Sequence, residues 1–337
     1  MKAVKIPLKE LNNTKNKLME YKNMNMNYKI KTDSEYGYIP INNENEIKNL
    51  EVVDIELDKL NTYPKNFTEF LEDKLTENEI EDLKKSFDII GDIVILEIPE
   101  NLINHKIAIG KAALDFTKRK SVYMKKSAIK GQTRTRELEL LSGIPQTVTT
   151  HKEHGLRLKL DVEKVYFSPR LATERKRIAD EVTDGEKILD MFCGIGPFPI
   201  IIAKEKNVDI VAVDINEIAI EYLNKNIELN KLKGTISPIT GDINNVVSDK
   251  LQTEKFDRII MNLPGTAYEF LDLAISLIKD NGIINYYEFS DSYGQGIERI
   301  QKAANKKNKK VEIKTTRKVK SSSPGMWHIA IDAKITS

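Results

Sequence analysis

Hydrophobic positions fall into three successive regimes along the chain. Up to residue 60, a helically spaced stretch from Leu8 to Tyr21 precedes short alternating segments around Tyr28-Lys-Ile-Lys and Tyr36-Gly-Tyr-Ile-Pro-Ile, which predicts a small α+β module over 1–60. The polar run Asn61-Thr-Tyr-Pro-Lys-Asn reads as a linker. Beyond it, Ser86-Phe-Asp-Ile-Ile and Ile93-Val-Ile-Leu-Glu-Ile flank Gly91-Asp92, the pattern of a hairpin with a two-residue turn. A helix near 101–116, a basic stretch and a second hairpin, in which Thr147-Val-Thr-Thr and Leu156-Arg-Leu-Lys-Leu surround His154-Gly155, complete a second α+β domain over 65–162.

From 163 to 337 the pattern changes to alternating strands and helices. Ser168-Pro169 supplies an N-cap residue and a proline at the first helical position, opening a helix that carries Arg170, Glu174 and Arg175. Strands then follow at Lys187-Ile-Leu-Asp190, Ile210-Val-Ala-Val-Asp214, Thr235-Ile-Ser-Pro-Ile-Thr, Arg258-Ile-Ile-Met and Gly282-Ile-Ile-Asn-Tyr-Tyr, with an apolar helix, a helix capped by Asn216 and a helix near 266–279 between them. Repeated βα units predict an α/β fold, a doubly wound parallel sheet covered by helices. Lys310-Val-Glu-Ile-Lys and the strand from Trp327 have only a loop between them, so the last strand is expected to run antiparallel.

The composition removes several function classes. A length of 337 residues with 40% hydrophobic and 31% charged positions implies two or three globular domains, and a net charge of +2 excludes a polycation. One cysteine and four histidines supply neither a disulfide framework nor a Cys/His-only zinc site, so no metal is expected and a reducing compartment suits the chain. The first 22 residues lack a continuous apolar core and carry Glu10 and Glu20, unlike a secretory or transit signal, and no stretch approaches the roughly 20 apolar residues of a membrane span. A cytoplasmic protein without membrane contact is expected. The charges are segregated: Lys118, Arg119, Lys120, Lys125, Lys126, Lys130, Arg134 and Arg136 form an acid-free run interleaved with Tyr123, whereas Glu69 to Asp82 is predominantly acidic. Such a basic stretch suits RNA phosphates. A second run, Lys306 to Lys310, is explained equally well as a solvated face.

The chemistry concentrates at strand ends. Asp190-Met-Phe-Cys-Gly194-Ile-Gly196-Pro-Phe lies where a strand gives way to a helix, and Asp214 ends the next strand 18 residues after Gly196, where a carboxylate can accept both hydroxyls of a ribose. Pro197-Phe198 occupies the place of the third glycine of a dinucleotide fingerprint. This favours an adenosine without phosphates over a pyrophosphate, and disfavours a nicotinamide-dependent oxidoreductase. Asp242 could accept an adenine amine or simply close a turn, and Asn262 could offer both a carbonyl and an amide to a ring edge or cap a helix.

In Arg134-Thr-Arg-Glu-Leu-Glu, His151-Lys-Glu-His-Gly, Val165-Tyr-Phe-Ser-Pro-Arg-Leu, Glu174-Arg175, the Asp190 to Phe198 loop and Met261-Asn-Leu-Pro, the chain resembles the archaeal and eukaryotic tRNA (guanine-37-N1)-methyltransferases, within the class I S-adenosylmethionine-dependent methyltransferases. The resemblance implies an N-terminal module for the tRNA elbow, a central RNA-binding domain, and a methyltransferase sheet of order 3-2-1-4-5-7-6. The third strand would then be an edge, which suits Pro238. It further implies Glu174 as the base for the guanine N1 proton, Arg134 as the cation for charge on O6, and Asn262 at the guanine edge with Pro264 shaping its turn.

Arg175, Asp190, Phe192, Gly194, Gly196, Asp214, Ile215 and Asp242, with Asn262 and Pro264, would surround S-adenosylmethionine. Tyr166 would stack on a flipped base, or be a core tyrosine, and Arg170, Arg136, Lys118, Arg119, Lys126 and Lys130 would meet RNA. The lesser alternative for Glu174 is an exposed i,i+4 pair with Arg170. Leu263 and Gly265 depart from the Asn-Pro-Pro-aromatic pattern of amino-methyltransferases, which argues against an exocyclic amine target. Cys193 fits its glycine turn without a nucleophilic role, Trp327 reads as core, and His151 and His154 read as solvated turn residues. A monomer acting on the anticodon stem-loop is expected. The alternatives are a wyosine-pathway enzyme acting on a tricyclic guanosine derivative at the same position, and a noncatalytic RNA-binding protein.

Overall fold

The computed structural model describes residues 1–44, 50–60, 64–126, 131 and 137–337. Lys130, Arg134 and Arg136 lie outside the described residues. The chain forms two compact units, Met1–Lys65 and Asn66–Ser337. In the first, strands β1 (Lys2–Pro7), β2 (Lys31–Thr32), β3 (Tyr36–Pro40) and β4 (Glu51–Asp54) make a sheet of order β2-β3-β1-β4, and helix α1 (Leu11–Glu20) packs on it through Leu18. The alternation around Tyr28 yields an isolated bridge to Lys59 and the two-residue β2, less than the strand expected there.

The second unit begins with a 3-10 turn, Phe67–Leu71, followed by helix α2 (Glu77–Asp82), closed at its N-terminus by a Thr76/Glu79 capping box. Strands β5 (Asp88–Ile90), β6 (Ile93–Leu96), β7 (Ser121–Lys125) and β8 (Leu138–Gly143) form a mixed sheet, with helix α3 (Lys106–Thr117) crossing between the parallel β6 and β7. The β5–β6 hairpin turns at Gly91 and Asp92 as predicted. Strands β9 (Val148–Glu153) and β10 (Leu156–Asp161) form the second predicted hairpin, and His154 and Gly155 both have positive φ (45° and 71°), the geometry that matches the twist of a tight hairpin.

This second hairpin was expected with the central domain, but it packs on the helices of the C-terminal layer. Leu156, Leu158 and Leu160 alternate inward onto Ile195 and Phe198. The buried Asn226 side chain joins the edge of β10 to that layer, accepting from Lys159 N–H at 2.6 Å and donating to the Lys159 and Ile195 carbonyls, both at 3.1 Å. In the other direction, Asp92 N–H donates to Thr149 Oγ1 at 2.9 Å and Gly91 N–H to His151 Nδ1 at 3.3 Å, so β9 also holds the β5–β6 turn.

The C-terminal layer comprises α4 (Ala172–Glu181), β11 (Lys187–Asp190), α5 (Pro197–Glu205), β12 (Asp209–Asp214), α6 (Glu217–Leu229), β13 (Thr235–Thr240), α7 (Ile243–Val246), β14 (Phe256–Met261), α8 (Leu271–Leu277), β15 (Ile278–Ser290), α9 (Gly294–Asn305), β16 (Lys310–Ser323) and β17 (Met326–Thr336). Its seven strands are ordered β13-β12-β11-β14-β15-β17-β16, with β17 antiparallel to both neighbours, matching the order expected. Pro238 lies on edge strand β13, opposite Ala212, where a missing ladder donor is tolerated.

Three local expectations differ. Ser168 makes no side-chain cap, because Pro169–Leu171 forms a 3-10 turn and α4 starts only at Ala172. The helix expected near 266–279 is a 3-10 turn, Ala267–Phe270, followed by the shorter α8, since Ile278 already pairs with Phe256 as the start of β15. The Lys306 to Lys310 run serves the fold: Lys306 pairs with Asp272, and Lys309 donates to the carbonyls of Ile275 and Ile278 at the amino-terminal end of β15.

Candidate active site

Glycine geometry creates the opening between β11 and α5. Gly196 (φ 81°) turns the chain into α5 in a left-handed conformation, and a Cβ there would overlap Leu223. Gly194 (φ 55°) faces open space, its nearest neighbour to an added Cβ being the Tyr166 carbonyl at 3.8 Å. The loop is tied to the next strand end, since Asp214 Oδ2 accepts Gly194 N–H at 2.7 Å and Oδ1 accepts Asn216 N–H at 2.9 Å.

A cavity of about 1220 Å³ opens at the carboxyl ends of the parallel strands. Its floor is built by Met191 to Gly194 after β11, Asp214 to Asn216 after β12, Gly241 to Ile243 after β13, and Asn262 and Leu263 after β14. Phe192 packs edge-on against Phe270 with centroids 5.1 Å apart, leaving an aromatic wall, while Ile215 is 37% exposed opposite. Asp242 lines the cavity while capping α7 through Asn244 N–H at 2.9 Å. Asn262 Oδ1 is buried with no hydrogen-bond partner among the described residues, an acceptor that a bound ring would satisfy.

Asp190 is buried behind this floor and accepts Phe192 N–H at 3.2 Å. Burial, with the nearby Asp214 adding to it, pushes its carboxyl up to about 8 against the one backbone bond that favours the charge. Gly196 and Pro264 also lie behind the lining; Pro264 is buried and its carbonyl holds Phe289 N–H at 3.1 Å. Burial raises the Cys193 thiol well above its ordinary value, in keeping with an inert side chain.

The opposite wall carries the charge expected of an RNA face. Lys84 ahead of β5 and Lys125 and Lys126 at the end of β7 line it, the first two paired with Glu97, and Lys320, Ser321 and Ser322 come from the far end of the β16–β17 hairpin. Tyr166 and Arg170 both line the cavity, and Arg170 Nε meets Asp88 Oδ1 at 2.6 Å. Lys118, which ends α3 in a left-handed conformation, and Arg119 are exposed but outside the lining. Lys84, Lys320 and Phe270 were not singled out from the sequence. The Pro324-Gly325 turn that brings Lys320 to the cavity was the one local signal for them.

Arg175 and Glu174 diverge from adjacent positions on α4. Arg175, 1% exposed, forms a bidentate pair with Glu153, Nε to Oε1 at 2.6 Å and Nη2 to Oε2 at 2.5 Å, and donates to the Ser168 carbonyl. Burial raises the Glu153 carboxyl, but His151 and Arg175 outweigh it and hold the group below its ordinary value. His151 therefore sits in a largely buried network and not at a solvated turn, whereas His154 is the exposed turn residue expected, its Nε2 bonding the Ala172 carbonyl at 3.1 Å.

Glu174 does not pair with Arg170, nor does it line the cavity. It is 2% exposed, receiving Arg177 Nη2 at 2.6 Å and Tyr287 Oη at 2.9 Å on Oε1, with Arg317 Nε at 3.4 Å from Oε2.

A seven-stranded sheet of this order, with its glycine loop, a carboxylate ending the second strand and an acceptor-lined floor, is that of a class I S-adenosylmethionine-dependent methyltransferase. Residues 149–313 match the TRM5/TYW2 methyltransferase domain, 67–147 the TYW2 N-terminal domain, and 3–49 the tRNA methyltransferase 5 N-terminal domain. The chain is 44% identical over 342 residues to tRNA (guanine(37)-N(1))-methyltransferase Trm5b of Pyrococcus abyssi, covering 99% of each. It is 37% identical over 251 residues to the tRNA(Phe) (4-demethylwyosine(37)-C(7)) aminocarboxypropyltransferase of Methanocaldococcus jannaschii, covering 73% of this chain and 96% of that one. The solved complex of aTrm5 with tRNALeu superposes with a TM-score of 0.81 at 38% identity, over 98% of this chain and 99% of that one. The chain belongs to the TRM5/TYW2 methyltransferase family.

Proposed function

We propose that the chain transfers a methyl group from S-adenosylmethionine to N1 of guanosine 37 in tRNA, next to the anticodon, and so supports reading-frame maintenance. The observation that carries this reading is the end-to-end likeness to Trm5b, 99% of both chains at 44% identity. The orphan Asn262 acceptor on the cavity floor supports it. Domains over 1–60, 65–162 and 163–337 are assigned respectively to the tRNA elbow, the anticodon region and catalysis, in a chain acting as a monomer in the cytoplasm.

S-adenosylmethionine, when bound, supplies an electrophilic methyl on a sulfonium. Asp214, at the end of β12, would accept the ribose hydroxyls. Phe192 and Ile215 flank the adenine, Asp242 accepts its amine, and the Gly194 and Gly196 turn admits close approach. Arg175 lines the cavity, Asp190 shapes it from behind, and Pro264 fixes the Asn262 turn. Asn262 orients the guanine edge, Tyr166 stacks on the base, Arg134 stabilises charge growing on O6, and Glu174 takes the N1 proton. Lys118, Arg119, Lys126, Lys130, Arg136 and Arg170 hold RNA phosphates. Transfer then depends largely on alignment of the acceptor nitrogen with the methyl group.

The match of 67–147 to the TYW2 N-terminal domain favours a second reading, action on a tricyclic wyosine precursor at the same nucleotide. Purified chain incubated with labelled S-adenosylmethionine and tRNA transcripts bearing G or another base at position 37, followed by nucleoside analysis, tests both. Label in 1-methylguanosine from the G37 transcript alone is expected. Label elsewhere, or none, overturns the first reading, and product from tRNA carrying 4-demethylwyosine supports the second.

A further inference from the structure

The Glu174 carboxylate is held asymmetrically. Oε1 receives Arg177 Nη2 at 2.6 Å and the Tyr287 hydroxyl at 2.9 Å, whereas Oε2 has only longer approaches, Arg177 Nε at 3.2 Å and Arg317 Nε at 3.4 Å. The two short donors are themselves fixed. Tyr287 is fully buried between Phe198 and His328, with centroids 6.1 Å and 5.5 Å away, and lies two residues before Phe289 of the cavity wall. Arg177 is anchored by Asp332 at 2.6 Å and Glu181 at 2.7 Å. Arg317 differs: its side chain is 35% exposed and comes from β16, whose continuation at Lys320 to Ser322 lines the cavity.

We propose that Tyr287 and Arg177 are positioning residues that occupy Oε1 of Glu174 and leave Oε2 as the oxygen that accepts the guanine N1 proton. This rests on Glu174 being the base. In the step, the N1–H proton passes to Oε2, the electron pair it leaves on N1 forms the new N–CH3 bond, and the carbon–sulfur pair departs onto sulfur. The carboxylate becomes neutral as the sulfonium charge is discharged, so charge balances. Arg177, Arg317, Tyr287 and, through Arg177, Asp332 and Glu181 are the charged and titratable groups around the carboxylate, with the His328 ring behind Tyr287. Burial, then Glu174 and Asp332, raise Tyr287 well above its ordinary value, so its hydroxyl remains a donor throughout the working pH range.

The test is single-turnover methyl transfer by the full chain to a G37 tRNA transcript, across acid to neutral pH, with separate cofactor and tRNA binding. Tyr287→Phe keeps the ring packing and removes one donor, so the rate is expected to fall about tenfold, the worth of one buried hydrogen bond. Its acid limb should move to higher pH, with both affinities kept within about twofold. Replacing Tyr287 by 3-fluorotyrosine, a stronger donor, should move the limb the other way. An unchanged rate and limb, or a rate loss with no limb shift and a matching loss of tRNA affinity, overturns the proposal. Glu174→Gln separates the two readings: if it leaves the rate within about tenfold, the base assignment fails, and if it abolishes transfer while Tyr287→Phe is silent, only the positioning role fails.

Discussion

Replacing Glu153 by glutamine should destabilise the second unit by about 3 kcal/mol at neutral pH, the range for stranding one partner of a buried ion pair. The magnitude follows from geometry. Arg175 and Glu153 side chains are 1% and 5% exposed, so Arg175 cannot regain water when its partner loses charge. Glutamine can still accept one of the two bonds, and the Ser168 carbonyl and the Phe167 ring, 5.1 Å from the guanidinium, remain, which keeps the loss toward the lower end. Because the folded Glu153 carboxyl lies below its ordinary value of 4.5, its contribution is complete above that value and disappears as pH falls through the folded value. The gap between wild type and Glu153→Gln should therefore narrow on acidification. Urea unfolding followed by Trp327, the single tryptophan, at about pH 7 and about pH 4 measures it. A loss below about 1 kcal/mol at neutral pH, or a gap that widens in acid, would refute the argument that this pair is fully desolvated and charged.

Three further outcomes follow from the same geometry. Asp214→Ala should weaken S-adenosylmethionine binding by roughly 10- to 100-fold through loss of two charge-assisted bonds, with tRNA affinity unchanged by calorimetry. Asp190→Asn should grow more stable relative to wild type as pH rises from about 4 toward 8, because the wild-type carboxyl, raised to about 8 when folded, must increasingly be buried against its preferred ionisation; a parallel pair of stability curves would contradict this. Lys320→Ala should weaken tRNA binding and reduce the slope of log affinity against log salt by about 1, and an unchanged slope would remove Lys320 from the phosphate contacts.

Sheet architecture was readable because burial on both faces imposes continuous apolar runs on parallel strands, and because Pro238 marks an edge. The cavity floor was readable for a related reason: Gly194, Asp214, Asp242 and Asn262 each stand at a strand end that local pattern locates. The surroundings of Glu174 and Arg175 were not. Glu153 lies 22 residues from Arg175, and Tyr287 113 residues from Glu174, so no local spacing links them. The i,i+4 rule pointed Glu174 at Arg170, but Asp88, 82 residues away, captures Arg170. That the β9–β10 hairpin packs on the C-terminal helices as well as on the β5–β6 turn was not legible, because alternation tells which side chains face inward and not which core they enter.

The bonds from Gly91 and Asp92 N–H to the His151 and Thr149 side chains tie the β5–β6 turn, on one side of the cavity, to the β9–β10 hairpin that packs on the other. The spacing across this tie is set by two side-chain acceptors on a paired strand, whose register is fixed by the hairpin. Under the proposed function, with phosphates held on one side and a base on the other, such a tie would act as a caliper that admits to the floor only a nucleotide at one offset from the held backbone. Lengthening the β5–β6 turn would then shift which nucleotide is presented before it altered how tightly the RNA is held.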